Sequence, residues 1–333
     1  MPVESRPRRV TSVDVAREAG VSRTTVSYVL NATPHQKIPD GTRQRVLDAA
    51  ARLGYAPSAA ARALQSGRSD VVLYLLPDWP VGPAVTHTLV RLSTALAAHG
   101  YTLLAYPRAA GRPVADVWRS IEPAAVVSWE DLDPADVAAM RAAGVLVAVA
   151  LLRGPGTAEG SLEVSQQRIG RMQAEHLAAA GHRRLGYADP DDPRVRGFAE
   201  PRLDGVRAAC ADLGLDEPVV RTVPPDTAAA ADAVRAWREA GVTAVCAYND
   251  DVALAVLAGA RAAGVDVPGG LAVVGVDDVP AAALAAPPLT TVTTDQEGIA
   301  EHIAALVVAG LDGTPPPPRL TSDVVRLVRR ASA

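Results

Sequence analysis

Polar side chains gather where short apolar runs of this chain stop. Asp78 and Trp79 follow VVLYLLP, Asn249 and Asp250 follow AVCAY, and Asp277 and Asp278 follow AVVGV. In open α/β sheets, ligands bind just outside the carboxyl ends of strands, so these residues are candidates for gripping a small molecule. They do not read as catalytic groups. No nucleophile–base pair and no phosphate loop accompanies the Asn249–Asp251 or Asp277/Asp278 acids, and successive residues of a strand point to opposite faces, so Asp277 and Asp278 need not share a site. A second polar set lies near the N-terminus. Arg23, Thr24, Ser27 and Tyr28 fall on the outward side of a short helical pattern, where Arg can pair with guanine and Thr can touch a base edge or a thymine methyl.

The segments that must carry this second set are punctuated clearly. Thr11-x-x-Asp14 is a capping-box-like helix start, Val15, Ala16 and Ala19 form an apolar stripe, and Gly20 ends the helix. Ser22 caps a second helix with Val26, Val29 and Leu30 inward. Two short helices around a Gly-containing turn make a helix-turn-helix. A third helix is predicted from about Gly41 to Leu53 with Val46, Leu47, Ala50 and Leu53 inward. The stretch PSAAARAL then suits a short helix with little apolar surface beyond Leu64, which needs a partner to be stable.

From Asp70 onward short apolar strands alternate with helical segments in two series, which predicts two lobes with parallel sheets. Arg202, in RLDG, is placed at the start of a helix near 203–213. No GxGxxG follows a first strand, so a dinucleotide fold is not supported.

Charge divides the chain in the same way. Residues 1–68 hold eleven Lys+Arg against five Asp+Glu, a net +6, while the whole chain is −4 and the remainder therefore −10. A basic head that touches a polyanion and an acidic body that does not is the direct reading. The start MPVESRPRRV lacks the apolar core of a secretory signal and no apolar run suits a membrane helix, so a cytoplasmic, nucleoid-associated protein without a membrane partner is expected. Cys210 and Cys246 sit in Ala/Val-rich stretches and are expected to be reduced and buried. No Cys/His spacing suits a metal, and no cofactor is expected.

VDVAREAGVSRTTVSYVLN, TRQRVLDAAARLGYAPSAAARAL, GHRRLGY, YNDDVALAVLAGARAAGVDVPGGLAVVGVDD and PPLTTV, in that order, resemble the LacI/GalR family of bacterial transcriptional regulators. The resemblance implies an all-α helix-turn-helix DNA-binding head over residues 1–57, a hinge helix and linker over 58–69, and an α/β two-lobed, periplasmic-binding-protein-like effector-binding and dimerisation domain over 70–333. Lobe one would comprise about 70–163 and 296–323, and lobe two about 164–294 and 324–333. Such a protein is a homodimer on palindromic double-stranded operator DNA, usually a repressor, whose affinity is set by a small molecule such as a sugar. Arg23, Thr24, Ser27 and Tyr28 would face bases. Thr11, Ser22, Thr25, Asn31 and Tyr55 would hold phosphates, and Ser58, Ala61 and Leu64 belong to the hinge, with Leu64 matching the residue that wedges the minor groove. Arg202, Asn249 and Asp277 match effector-binding positions, beside Asp78 and Trp79. The chain departs from the pattern with Tyr28 where Arg is frequent, Leu151 where Asp is frequent, and Ser165-Gln166 for the usual Asp-Asn. A solute-binding module without a DNA role is the alternative, and the basic head speaks against it.

Overall fold

The structure is a computed structural model, and it describes residues 10–30, 37–55, 69–108, 112–129, 132–149, 164–318 and 324–333. The chain divides into two compact units, Met1–Asp70 and Val71–Ala333. Asn31, Ser58, Ala61, Leu64 and Leu151 lie outside the described residues.

The first unit packs α1 (Ser12–Ala19), α2 (Arg23–Leu30) and α3 (Asp40–Arg52) around Val15, Ala19, Val26, Val29, Val46 and Ala49, all buried. Asp14 accepts from both the backbone N–H (2.9 Å) and the hydroxyl (2.7 Å) of Thr11, which fixes the entry into α1. Gly20 takes φ 65°, the left-handed turn that lets α2 depart at once. Ser22 Oγ accepts the Thr25 N–H at 3.0 Å and so caps α2. The expected inward face of α3 is corrected at one place: Leu47 is 42% exposed, and Ala49, fully buried, takes the inward position beside Val46 and Ala50. Small side chains let the three short helices approach closely, and that excludes the bulkier leucine.

The second unit runs β1 (Val71–Leu76), α4 (Pro83–Ala97), β2 (Thr102–Pro107), α5 (Val114–Ile121), β3 (Ala125–Ser128), α6 (Pro134–Ala142) and β4 (Leu146–Val149), then α7 (Gln166–Ala179), β5 (Leu185–Pro190), α8 (Arg196–Asp212), β6 (Val219–Val223), α9 (Thr227–Glu239), β7 (Ala244–Ala247) and α10 (Asp250–Ala262). It ends with β8 (Ala272–Val276), α11 (Pro280–Leu284), β9 (Thr290–Thr294), α12 (Gln296–Asp312) and β10 (Val325–Val328). Two sheets result, ordered β2-β1-β3-β4 and β10-β9-β8-β7-β5-β6. Every pairing is parallel except β10 with β9. Each sheet with its helices forms a lobe, and α12, although it follows β9 of the second sheet, packs on α4 and β4 of the first.

The helix carrying Arg202 is longer than the sequence pattern implied. It starts at Arg196, directly after a 3-10 turn at Pro193–Val195, so Arg202 lies well inside α8 rather than at its start. Pro201 is inside the same helix, where its missing N–H removes one backbone bond without ending the element. α7 and α8 cross with almost no side chain between them: a Cβ on Gly170 would lie 1.9 Å from Arg202 O, and one on Gly205 would lie 2.0 Å from Gln167 O.

Candidate nucleic-acid interface and ligand cavity

On the first unit, Ser22, Arg23 and Thr24 are exposed at the start of α2, while Thr25, Ser27 and Tyr28 are half-buried. Arg23 has no hydrogen-bond or ion-pair partner among the described residues, so its guanidinium is available in full. Arg52, by contrast, pairs with Glu18 at 3.2 Å, and Arg17 lies 3.8 Å from Asp14. The Ser22 and Thr25 hydroxyls face each other at 2.9 Å, and Thr11 is engaged with Asp14. These three therefore serve the helix ends first and keep only their remaining valences for another molecule. Tyr55 is half-buried against the helical core, and its N–H donates to Ala50 O at 2.9 Å.

In the second unit a cavity of about 880 Å³ opens between the two lobes. Of five sequence-derived positions, four bear on it. Trp79, Arg202, Asn249 and Asp277 line it, whereas Asp78 is exposed and outside its wall. Arg202 is buried. Its Nε donates to Gln166 Oε1 at 2.8 Å, its Nη1 donates to Tyr248 O at 2.6 Å, and its guanidinium carbon lies 4.7 Å from the Tyr248 ring centroid. That leaves donors of the planar fork over for a ligand. Asn249 Oδ1 accepts the Val252 N–H at 3.0 Å, capping α10, so its amide NH₂ is the half that can serve the cavity.

Asp277 and Asp278 both take left-handed backbone conformations, φ 107° and 53°. Such strain persists only where neighbours fix it. Asp277 N–H donates to Val292 O at 2.7 Å, and Asp278 is held by Arg330 at 2.6 Å. The twist sends the two acids to different places: Asp278 turns to the C-terminal arginine, while the Asp277 carboxylate lines the cavity and accepts no hydrogen bond from the described residues. Burial pushes Asp277 up to about 6, with Arg202 pulling it down and Asp251 pushing it further up.

Asp250 is not a cavity residue. It is fully buried, accepting from Val279 N–H at 2.9 Å and from the Thr291 hydroxyl at 2.6 Å. Gly275 makes room for it, since a Cβ there would lie 2.1 Å from Asp250 Oδ1. Burial pushes Asp250 up to about 7, against the pull of those two donors, with Asp277 and Asp278 raising it further. Both acids thus bind protons more tightly folded than unfolded. The stability they confer is full below 3.8 and is lost as pH rises toward about 7. The part of the melting temperature of the full chain that these acids set, followed by tryptophan fluorescence, is expected to fall between about pH 5 and pH 8, while His176, His182 and His302, whose pKa values burial lowers, act in the opposite sense. Asp250→Asn is expected to flatten that slope, and an unchanged slope would mean that Asp250 does not titrate there.

Several lining residues escaped the sequence reading. Phe198 meets Trp79 edge to face, centroids 4.6 Å apart and planes at 86°. Trp129, just after β3, lines the cavity, and its indole N–H is buried without a partner among the described residues. Thr88 donates to Gln296 Oε1 at 2.5 Å, and Gln296 donates to Thr294 Oγ1 at 2.8 Å. Gln166, read from sequence only as a departure from a pattern, orients Arg202. Among the described residues, no group of His, Cys, Asp or Glu is arranged to hold a metal, and no helix is long and apolar enough to cross a membrane.

A helix-turn-helix unit with a free arginine on its second helix, in one chain with a two-lobed binding unit whose cavity presents donors and acceptors, defines a ligand-responsive DNA-binding transcriptional regulator. Residues 12–58 match the family described as "Bacterial regulatory proteins, lacI family", and residues 174–333 match the "Periplasmic binding protein-like domain". The HTH-type transcriptional regulator CelR of Thermobifida fusca is 31% identical over 346 residues, covering 98% of this chain and 99% of that protein. The regulator GalR of Escherichia coli (strain K12) is 29% identical over 331 residues, covering 96% and 94%. Among solved structures, a transcriptional regulator CelR–cellobiose complex superposes with TM-score 0.67 at 28% identity, covering 98% of this chain and 100% of that one. The lac repressor dimer bound to operator and the anti-inducer ONPF gives TM-score 0.78 at 23% identity, covering 98% and 99%, a likeness of fold. The chain belongs to the lacI family of bacterial regulatory proteins.

Proposed function

We propose that this chain is a cytoplasmic, homodimeric repressor whose operator affinity is set by a sugar or related metabolite held between the lobes, and that it binds this effector without turning it over. The head over residues 1–57 reads palindromic operator DNA, 58–69 form the hinge, and 70–333 bind effector and dimerise. Arg23 and Thr24 contact bases, with Ser27 and Tyr28 beside them. Thr11, Ser22, Thr25 and Tyr55 sit against phosphates. Arg202, Asn249, Asp277 and Trp79 hold the effector, and Asp78 acts at the rim. The observation that carries this reading is the cavity's unused hydrogen-bonding capacity: the remaining Arg202 donors, the Asn249 amide and the Asp277 carboxylate face one space. A hydroxyl-rich molecule satisfies all three types of group.

The test is anisotropy binding of the purified protein to DNA from upstream of its own gene against scrambled DNA, at fixed salt because phosphate contacts make affinity fall steeply with it. Selective binding that a metabolite extract shifts supports the reading, and binding that ignores sequence refutes it. In the same assay Arg23→Ala is expected to relax preference at one base per half-site, by about 1–3 kcal/mol of discrimination. An equal loss on every sequence would make Arg23 a phosphate contact only.

A further inference from the structure

The cavity's two walls differ in kind. Among the described residues the second lobe supplies every charged lining residue: Asp191, Asp251 and Asp277 against Arg202, with Asp192 already paired to Arg194 at 2.7 Å. Two of the Arg202 donors are already given to Gln166 and to Tyr248 O. An anionic ligand would enter a space where carboxylates outnumber the one guanidinium, so the electrostatics select against phosphates and carboxylates. The first lobe presents the opposite surface. Among the described residues Trp79, Pro80, Val81, Pro83 and Trp129 line it; Thr88 and Gln296 are bonded to each other, which leaves the Trp129 indole N–H as the one buried donor on this wall without a partner.

A second sugar ring laid on that wall would give up water from its hydroxyls and find few partners, which costs free energy for each group left unpaired. A flat apolar group there gains burial and ring contacts instead. The space is also generous for one ring: at about 880 Å³ it lies toward the upper end of ligand cavities, roughly 300–1,000 Å³.

Resting on the effector-binding role proposed above, we infer that the ligand is a neutral glycoside carrying a flat, apolar aromatic aglycone. Its glycosyl hydroxyls meet Arg202, Asn249 and Asp277, and its aglycone lies against Trp79 and Trp129. Trp79, already edge-on to Phe198, is the specificity-determining residue for the aglycone.

The test uses the full chain and calorimetric titration with three matched probe sets: 4-nitrophenyl glycosides, methyl glycosides and glycosyl 1-phosphates of glucose, galactose, mannose, xylose and arabinose. At least one nitrophenyl glycoside is expected to bind about tenfold more tightly than its methyl counterpart, the scale of one added aromatic contact. The matching phosphate is expected to bind more weakly than both. Trp79→Ala should shrink the ratio of nitrophenyl to methyl glycoside affinity to within about twofold, since the same contact is lost; Trp79→Phe should restore that ratio. The inference is overturned if methyl glycosides or phosphates bind as well or better, or if no nitrophenyl glycoside binds at millimolar concentration. Operator binding measured in parallel separates the two readings. If DNA is bound selectively but the probes behave otherwise, the inference alone falls; if DNA is not bound selectively, the regulator reading falls by itself.

Discussion

Gly205→Ala is expected to lower the unfolding free energy of residues 71–333 by about 3 kcal/mol, the upper end for overpacked cores. The added carbon would stand 2.0 Å from Gln167 O, 2.7 Å from its carbon and 2.9 Å from its Cα. These are backbone atoms, so no rotamer change relieves the clash and α8 must lift from α7. Gly170→Ala meets Arg202 O at 1.9 Å across the same crossing and should cost a similar amount. Once one substitution has separated the helices, the second has less to disturb, so the double variant should cost clearly less than the sum of the two. All four tryptophans, Trp79, Trp118, Trp129 and Trp237, lie in the second unit, so fluorescence-detected denaturation reads that unit in the intact chain. Additive losses would show that the two glycines do not share one close contact.

The second large effect concerns Arg202. Arg202→Leu is expected to weaken effector binding about 100-fold or more, since two charge-assisted hydrogen bonds and the ligand's own contact disappear together. Operator binding without effector should survive. Arg202→Lys should recover little, because an ammonium can neither reach Gln166 and Tyr248 O in one plane nor lie flat over the Tyr248 ring. Paired titrations of effector and of operator DNA decide the matter. Undiminished effector affinity in a variant of lowered melting temperature would make Arg202 a structural strut joining α7, α8 and β7.

These two effects arise within a few residues of each other, and they mark where sequence reading worked and where it stopped. The helix-turn-helix was legible because Thr11, Gly20 and Ser22 act locally: caps and turns are decided by near neighbours. The strand–helix alternation was legible for a similar reason, since hydrophobic runs bounded by glycine leave few choices. Asp277 and Asp278, read as neighbours on a strand, lie just past β8, and a left-handed backbone rather than strand alternation sends them apart. What could not be read is long-range. Trp129 follows an apolar run and Phe198 stands in the charged stretch RVRGFAEPR, and both become cavity residues only when two lobes meet. Leu47 follows the helical period as well as Ala49 does, and only the closeness of the neighbouring helices decides between them. Asp250 and Asn249 are adjacent and both polar, yet one is spent on Thr291 and Val279 while the other is left at the cavity.

One residue away from the cavity carries a different kind of consequence. Gln173, fully buried on α7, donates its amide to Ala247 O at 2.8 Å, Val274 O at 3.1 Å and Gly275 O at 3.2 Å, the trailing ends of β7 and β8. Asn249 and Asp277 begin just beyond those ends. In the genetic code a glutamine codon changes by one base to glutamate, lysine, arginine, histidine, leucine or proline. Glutamate would set an anion against three carbonyls, leucine and proline would leave them bare, and the basic residues would bring a larger or charged group into a closed space. None of these replacements offers a neutral amide of the same length. Gln173 thus ties α7 to the ends of β7 and β8 by one amide nitrogen, so the floor beneath the binding residues is stitched together by a single side chain.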